Sequence, residues 1–268
     1  MFNAKKQIDV CVKFIQDYFR DNGTTNTKAV IGISGGKDST IAAALLIRAL
    51  GANRVICVMM PQGEQADITD SYRVCDALSI PGENRFEINI GPAVDALYNS
   101  IFYNGNDEAR WASPAVLTNT PARIRMTTLY MVAAAVGGRV CNTGNASEAF
   151  VGYTTKYGDL AGDFALLRNL TVSEIYAMGD AMEELPYDLV HKTPADGMSG
   201  KTDEDNMGFS YEAVDDHLLY GIIPADPAVW ENIKRRHRRN FHKIDTIKLL
   251  APYRIGGQFY NAAWNTPE

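Results

Sequence analysis

The sequence of 268 residues contains little cysteine and lacks any long hydrophobic run. Its four cysteines show no C-x-x-C spacing, so nothing in the sequence indicates a disulfide framework or a zinc site. No apolar run reaches the length of a membrane span, and the first residues lack the continuous apolar core of a signal peptide. We therefore expect a soluble, cytoplasmic protein with no membrane partner.

The sequence also lacks an excess of basic residues. Its formal net charge is −6, which argues against a general nucleic-acid binder. The basic run K-R-R-H-R-R at 234–239 is more often a solvated helix face than a nucleic-acid patch. Because 46% of the residues are hydrophobic, the chain can bury a full core, and we expect a single domain over residues 1–268.

Apolar runs alternate with segments of helical periodicity along the chain. Four runs predict strands, at 30–33, 54–60, 85–90 and 139–144. Helical spacing predicts an amphipathic helix at the start of the chain, a helix that ends at residue 50, and helices at 66–78, 92–102 and 121–136. This order predicts an α/β fold, a doubly wound parallel sheet flanked by helices that binds ligands at the carboxyl ends of its strands.

Glycine, threonine and proline mark the predicted ends of these elements. Gly51 is the expected cap of the helix that ends at residue 50. Thr120 is the expected N-cap of the helix at 121–136, with Pro121 as its first residue. The polar stretch at 103–112 predicts a mobile loop, and the stretch at 193–206 predicts a lid or a disordered loop.

The most informative segment is S-G-G-K-D-S at 34–39, between the first predicted strand and the helix after it. Two glycines let the backbone approach an anion, and the free N–H groups at the start of the helix point toward it. The Walker A pattern fails because Asp38 follows Lys37, and G-x-G-x-x-G fails because Gly35 and Gly36 are adjacent. An ordinary glycine-rich turn is the alternative. The pattern S-G-G-x-D-S resembles the pyrophosphate loop of ATP pyrophosphatases, which cleave ATP between its α and β phosphates.

Further motifs follow the fourth predicted strand: N-T-G-N-A-S-E-A at 142–149 and G-Y-T-T-K-Y-G-D at 152–159. Together with the pyrophosphate loop they make almost the whole chain similar to the ammonia-dependent NAD synthetase family. The segments at 61–67 and 122–126 also resemble the family. The resemblance implies a Rossmann-like fold of the adenine nucleotide alpha-hydrolase type. It also implies a ligase that joins deamido-NAD to ammonia, uses ATP, passes through an NAD-adenylate, and releases AMP and pyrophosphate.

The resemblance also implies that the protein is a homodimer with the dinucleotide bound across the subunit interface, and that it has no glutaminase domain. By the same resemblance, one set of residues contacts ATP: Gly32, Ile33, Ser34, Gly35, Gly36, Lys37, Asp38, Ser39, Thr143 and Thr193. Two departures from the family stand among the ATP contacts. Val172 stands where many members have a lysine, and Thr193 lies one residue early in the run T-P-A-D.

The residues that match the deamido-NAD positions of the family are Arg123, Lys156, Asp163, His237 and Arg238. Arg123 is predicted in the first turn of a helix, where the guanidinium and the helix dipole both attract an anion. A solvent-facing arginine is the alternative at that position. For the C-terminal pair, residues 242 and 243 are a competing match to His237 and Arg238.

Asp38 and Glu148 match the magnesium ligands of the family. Both follow predicted strands, and Mg2+ is usually held by one or two carboxylates together with phosphates and water. Either residue alone would more often be an exposed or capping carboxylate. Ser34 and Asp159 are the predicted catalytic residues, Asp159 as the general base for the incoming ammonium. A purely structural turn aspartate is the alternative for Asp159.

Two rival functions make different demands on the sequence. Other pyrophosphate-loop ligases, which make GMP or modify tRNA, carry a dimerisation or RNA-binding extension that the sequence does not show. A non-catalytic adenine-nucleotide-binding module needs the glycine-rich loop but does not need Asp38, Glu148 and Lys156 together.

Overall fold

The structure is a computed structural model. It describes residues 2–65, 67–102, 113–194 and 201–243, and the backbone of 253–255 and 258–260. The loop predicted at 103–112 lies outside the described residues. No helix in the described part of the chain is long and apolar enough to span a membrane.

A five-stranded parallel sheet forms the centre of the fold, with strand order β3-β2-β1-β4-β5. The strands are β1 (Lys28–Gly32), β2 (Val55–Met59), β3 (Arg85–Glu87), β4 (Gly138–Asn142) and β5 (Phe164–Ala165). The predicted doubly wound parallel sheet is therefore confirmed. The four predicted strands are present with shifted ends, whereas β5 has two residues and no sequence signal predicted it. Because β1 lies between β2 and β4, the carboxyl ends of β1 and β4 are neighbours.

The helices alternate with the strands and continue after the sheet. They are α1 (Ala4–Asp21), α2 (Lys37–Leu50), α3 (Ile68–Ala77), α4 (Gly91–Phe102), α5 (Pro114–Val136), α6 (Ala146–Val151), α7 (Val172–Asp180), α8 (Tyr187–Val190), α9 (Asp203–Met207), α10 (Tyr211–Tyr220) and α11 (Pro227–Asn240). Short 3-10 helices span Ala52–Arg54, Gly82–Asn84 and Phe241–Lys243. An antiparallel pair, β6 (Tyr253–Ile255) and β7 (Gln258–Tyr260), follows.

The two faces of the sheet bury different helices because side chains alternate along a strand. On one face, Ile31 of β1 belongs to a core that includes Ile15 of α1, Leu45 of α2 and Ile175 of α7. On the other face, a smaller core joins β1, β2, β4 and α5: Val30, Ile56, Val58, Val132, Ala133 and Val140. The two cores fix β1 and β4 from both sides and hold their carboxyl ends in place.

One sequence prediction about a helix boundary was wrong. Helix α5 begins at Pro114, and Pro121 lies inside it, because Ser113 and Pro114 offer the same start signal about two turns earlier. In the segment 193–206, predicted as a lid or a disordered loop, residues 203–206 belong to α9 and residues 195–200 lie outside the described residues, so the lid stays a prediction. A capping box between Thr202 and Asp205 begins that helix. Gly51 caps α2 as predicted, since its N–H donates to the carbonyl of Ile47.

Candidate active site

The glycine-rich turn between β1 and α2 has the geometry of an anion-binding loop. Gly35 has a φ of +78°, and a Cβ atom there would lie 2.7 Å from the Cβ of Asp70, so glycine is required for both reasons. Two hydroxyls close the turn, because Oγ of Ser34 lies 3.2 Å from Oγ of Ser39. The N–H of Gly36 donates to Oγ of Ser34. Ser34 itself is exposed and is available to a ligand at the mouth of the loop.

Two acidic side chains meet where β1 and β4 end. Asp38 lies in the first turn of α2, and Glu148 lies in the first turn of α6. Asn145 connects them: its side-chain amide donates to Oδ1 of Asp38 at 3.2 Å, and its backbone N–H donates to Oε2 of Glu148 at 3.3 Å. The structure thus brings together the two carboxylates that the sequence proposed as a pair.

The charged groups around this pair of carboxylates shift one another's pKa values. Loss of solvent and the negative charge of Asp38 raise the pKa of Glu148 to about 8, although the charge of Lys37 lowers it. The Lys37 ammonium lies 2.8 Å from Oδ2 of Asp38. Burial lowers the pKa of Lys37, but the carboxylates of Asp38 and Glu148 raise it by more, and the net pKa lies above its ordinary value. Tyr211, with its pKa raised by burial, lies beside the same charges.

The donor set fits a magnesium ion. Asp38 and Glu148 offer carboxylate oxygens, which are the ligands that Mg2+ prefers. Within the described residues, no group of three or more His, Cys, Asp or Glu side chains converges on one point. A pair of carboxylates leaves coordination positions for phosphate oxygens and water, as in nucleotide-dependent magnesium sites.

Hydrogen bonds within the loop after α6 fix the carboxylate of Asp159. The Asp159 carboxylate accepts from the N–H of Thr155 at 2.7 Å and from Oγ1 of Thr154 at 2.6 Å. The side-chain amide of Asn142, the last residue of β4, donates to the Asp159 carbonyl at 2.7 Å. These bonds fix an exposed carboxylate beside the end of β4. The geometry supports a structural role, and the general-base role stays a prediction.

Arg123 and Lys156, two predicted substrate residues, are brought together. Nε of Arg123 donates to the carbonyl of Lys156 at 3.2 Å, and Nζ of Lys156 donates to the carbonyl of His242 at 2.7 Å. Arg123 also borders a cleft of about 270 Å³ between α4 and α5. Its predicted place in the first turn of a helix was wrong, since α5 begins at Pro114. The helix dipole therefore does not strengthen this site.

The two candidate C-terminal pairs lie in different surroundings. His237 is buried, and its Nδ1 lies 2.7 Å from the carbonyl oxygen of Phe150, while Arg238 is exposed on α11. Lys243 donates to the carbonyls of Gly152 and Thr154, at 3.0 Å each, in the loop that carries Lys156 and Asp159. The alternative pair at 242 and 243 thus contacts the predicted substrate loop directly. His237 supports that loop from the core.

The remaining predicted residues occupy different positions in the fold. Asp163 is tied to β4, since its carboxylate accepts from the N–H of Val140 at 2.7 Å. Thr143 follows β4 and is partly exposed, and Thr193 is exposed before α9. Val172 is buried at the start of α7, so the position that carries a lysine in the resembling family here holds an apolar core residue.

Sequence reasoning missed two polar residues of this region. Asn145 links the carboxylates. The capping-box pattern N-x-x-E at 145–148 is the sequence feature that could have identified it. Arg168 is 1% exposed, and none of its guanidinium nitrogens has a hydrogen-bond partner among the described residues. A Cβ atom on Gly144 would lie 3.3 Å from Nη1 of Arg168 and 3.9 Å from Oε2 of Glu148. The arginine stands in an apolar run, 164–170, that gave no sign of its surroundings.

The chain is similar to a known protein family, to curated proteins and to solved structures. The family model described as NAD synthase matches residues 7–248. The NH(3)-dependent NAD(+) synthetase of Pyrococcus furiosus is 35% identical over 223 residues, 82% of this chain and 79% of that protein. Among solved structures, NMN synthetase from Francisella tularensis matches with a TM-score of 0.81 and 29% identity, covering 92% of this chain and 98% of that one. The NH3-dependent NAD synthetase of Campylobacter jejuni matches with a TM-score of 0.70 and 30% identity, covering 93% and 100%.

Proposed function

We propose that this chain, which belongs to the NAD synthase family, synthesises NAD from deamido-NAD, ATP and ammonia at the carboxyl edge of its sheet. The family and the ammonia-dependent reaction predicted from the sequence are confirmed by the family match and by the relatives. The observation that carries the site assignment is that Asn145 joins the carboxylate of Asp38, in the phosphate loop 34–39, to the carboxylate of Glu148.

In the first step, a carboxylate oxygen of the nicotinate group attacks the α-phosphorus of ATP. The bond to the β-phosphate breaks, and pyrophosphate leaves. The loop from Ser34 to Ser39 supplies backbone N–H groups and hydroxyls to the phosphate oxygens. Asp38 and Glu148 would hold a magnesium ion, which neutralises the charge that builds up on the phosphates. Thr143, directly after β4, and the exposed Thr193 complete the proposed ATP contacts.

In the second step, ammonia attacks the acyl carbon of the NAD-adenylate, the amide bond forms and AMP leaves. A proton must leave the attacking nitrogen, and we assign its acceptance to Asp159. Thr154 and Thr155 hold the carboxylate of Asp159 in one orientation, which positions it for this role. The water-sensitive intermediate requires a closed site.

The dinucleotide would lie along the loop at 152–159 and the middle of α5. Arg123 and Lys156 supply positive charge there for the pyrophosphate of deamido-NAD, which arginine recognises well. Asp163 is tied to β4 and offers its remaining acceptor capacity to a ribose or amide group. Arg238 on the surface of α11, and Lys243 beside the substrate loop, are the proposed contacts from the C-terminal part, with His237 behind them.

We propose a homodimer as the working form. Three large apolar side chains on α4 and α5 are 44–60% exposed: Leu97, Leu117 and Met131. Leu117 and Met131 lie four helical turns apart on nearly the same face of α5. By contrast, the apolar stripe of α1 is buried in the core, so that stripe is not available for an interface. The single-domain organisation of residues 1–268 stays a prediction.

One observation favours a second candidate substrate. The Francisella tularensis protein, an NMN synthetase, has a higher TM-score than the Campylobacter jejuni NAD synthetase, 0.81 against 0.70, at similar identity. Amidation of nicotinate mononucleotide is the same chemistry on a substrate that lacks the AMP half. The two substrates would differ in their use of Arg123 and Lys156, because the mononucleotide has one phosphate rather than a pyrophosphate.

The test is product formation by the purified protein with ATP and ammonium. Deamido-NAD and nicotinate mononucleotide are supplied separately, and AMP, pyrophosphate and the amide product are quantified. We expect one amide product for each AMP, with deamido-NAD as the better substrate by kcat/KM. A higher kcat/KM for the mononucleotide would assign the protein to the second candidate. Absence of ATP cleavage with either acid would contradict the function.

A further inference from the structure

Lys37 follows the glycine pair of the phosphate loop, yet its side chain is buried. It is the first residue of α2, and its side chain is 3% exposed. The ammonium lies 5.7 Å from the ring centroid of Tyr176 and 5.8 Å from that of Tyr211. Both rings present an electron-rich face to a cation. The site is therefore built to hold a positive charge in the interior, beside the carboxylate pair.

Both oxygens of the Asp38 carboxylate are engaged in this arrangement. Oδ1 accepts from Nδ2 of Asn145 at 3.2 Å, and Oδ2 accepts from Nζ of Lys37 at 2.8 Å. A divalent ion that coordinates Asp38 would share one of these oxygens with its present partner, because each carboxylate oxygen has two lone pairs. The Asn145 bond also belongs to the residue that caps α6, whereas Lys37 ends a flexible four-carbon side chain. Because two cations on one carboxylate repel each other, Lys37 is the partner that would yield.

We infer that Lys37 is a place-holding cation: it neutralises Asp38 in the metal-free protein and leaves Oδ2 when a divalent ion binds. The inference rests on the proposed function, since it takes Asp38 and Glu148 as metal ligands. The ammonium stands at the base of the phosphate loop, so the phosphates of ATP offer it a new anionic partner. Metal and nucleotide would then enter together, and the free protein would bind the metal weakly.

The decisive measurement is the binding of Mn2+ to the full chain without nucleotide, followed by electron paramagnetic resonance. The variant is Lys37→Met, which removes the charge and keeps the apolar stem. The matched control is Lys28→Met. Lys28 lies at the opposite end of β1 and is partly exposed, and its ammonium donates to the backbone carbonyl of Asn53. We expect Lys37→Met to bind Mn2+ at least about tenfold more tightly than the wild type, because one positive charge beside the site is gone. Lys28→Met should match the wild type.

Two further variants show which charge is responsible. Lys37→Arg keeps the positive charge and should stay within about threefold of the wild type. Adding Asp38→Asn to Lys37→Met should abolish the gain, because the new affinity must come from Asp38. Unchanged or weaker Mn2+ binding by Lys37→Met would overturn the inference, as would a gain that survives Asp38→Asn.

Lys37→Met also leaves a partly buried carboxylate pair without its cation, so the variant can lose stability. An ion that binds the folded state raises the melting temperature. The measurement is then the shift in melting temperature when Mn2+ is added to each protein. We expect a larger shift in Lys37→Met than in the wild type, and an equal or smaller shift would refute the exchange. If the variant does not fold, a crystal of the wild type with Mn2+ and a non-hydrolysable ATP analogue decides. Lys37 more than 4 Å from Oδ2, with manganese on Asp38, supports the exchange, and an unchanged Lys37 contact overturns it.

None of these measurements uses deamido-NAD or turnover. A failed NAD assay with tighter Mn2+ binding in Lys37→Met would refute the proposed reaction and leave the exchange supported. An active enzyme whose Lys37→Met variant binds Mn2+ no better would refute the exchange alone.

Discussion

The side-chain amide of Asn145 donates a hydrogen bond to Oδ1 of Asp38 at 3.2 Å, which ties the end of β4 to the first turn of α2. The same side chain accepts from the N–H of Glu148 as the N-cap of α6. One residue therefore sets the positions of both carboxylates. This coupling explains why the start of a short helix can control a site at the end of the neighbouring strand.

Replacing Asn145 by alanine should damage stability and metal binding together. Loss of the N-cap costs about 0.5–2 kcal/mol of unfolding free energy, and Asp38 loses a donor. The matched control is Thr171→Ala, which removes the capping box of α7 without touching either carboxylate. We expect similar losses in urea unfolding for both variants, but weaker Mn2+-ATP binding only in Asn145→Ala. Equal metal-nucleotide affinity in the two variants would show that Asn145 only caps its helix.

The pKa of Glu148 predicts how stability changes with pH in the metal-free protein. The pKa is raised from 4.5 to about 8, first by burial and then by Asp38. Between these values the folded protein keeps a proton that the unfolded chain has lost, so stability falls as pH rises through this window. The effect is on the order of 1–4 kcal/mol.

Glu148→Gln imitates the protonated acid and should remove this part of the slope. Urea unfolding from pH 5 to 8.5 with EDTA measures the difference. We expect the two proteins to be closest in stability at pH 5, and the glutamine variant to be the more stable one at pH 8.5. Parallel stability curves over the whole range would contradict the raised pKa.

Gly35→Ala should disrupt the phosphate loop more than conformational strain alone explains. At Gly35, with φ +78°, a Cβ would lie 2.7 Å from Asp70. Gly137→Ala is the matched control, because Gly137 has a φ of +65° and nothing lies within 4 Å of its Cβ position. Left-handed strain costs about 1–2 kcal/mol in both variants. We expect a further loss of stability and at least about tenfold weaker ATP binding in Gly35→Ala, for which ATP titration calorimetry is the measurement. Similar behaviour of the two variants would mean that the loop adjusts.

A homodimer formed through α5 predicts that a charge at Met131 disrupts the dimer, whereas a charge at Val10 does not. Met131 on α5 is 60% exposed, and Val10 on α1 is 42% exposed. Met131→Glu places a charge in the proposed interface, where burying it without a partner is unfavourable. We expect sedimentation to give a dimer for the wild type and Val10→Glu, and a monomer for Met131→Glu. A wild type that is monomeric at micromolar concentration with full activity would exclude the dimer.

Local sequence patterns predicted the sheet and the loop, and contacts between distant segments account for the rest. Apolar runs at β1, β2 and β4 are long enough to show strand character, whereas the two residues of β5 are too short for any periodicity. Pro121 imitated a helix start because proline favours that position, but the chain also offers Pro114 earlier.

In the candidate site, too, the sequence predicted the contiguous residues, and packing between distant segments determined the others. Asp38 and its loop are contiguous in sequence, so the motif predicted them as a unit. Lys37 looked like a loop residue, and only the packing of Tyr176 and Tyr211 around it shows an interior cation. His237 matched a family position, yet helix packing buries it against Phe150. Burial and partners are tertiary properties that a single sequence does not specify.

Arg168 is a buried charged residue whose guanidinium lacks hydrogen-bond partners among the described residues. It is 1% exposed, and none of its three nitrogens has a hydrogen-bond partner there. A buried guanidinium without an acceptor opposes folding by several kcal/mol, more than the apolar stem of the side chain restores. Arg168→Met keeps a long side chain of similar shape and removes the charge. We therefore expect the unfolding free energy of the ligand-free protein to rise by about 1–3 kcal/mol.

Arg125→Met is the control for this last prediction. Arg125 is partly buried, but its Nε donates to the carbonyl of Met60 at 3.0 Å, so its removal leaves that oxygen unpaired. We expect Arg125→Met to lose stability, by about 1–2 kcal/mol, where Arg168→Met gains it. Urea unfolding of both variants without ligands measures the two changes.

A loss of stability in Arg168→Met as large as in Arg125→Met would mean that the guanidinium is stabilised in solution, by water or by a bound anion that accepts its hydrogen bonds. A phosphate titration of the wild type would separate those two, because only a bound anion raises the melting temperature with phosphate concentration.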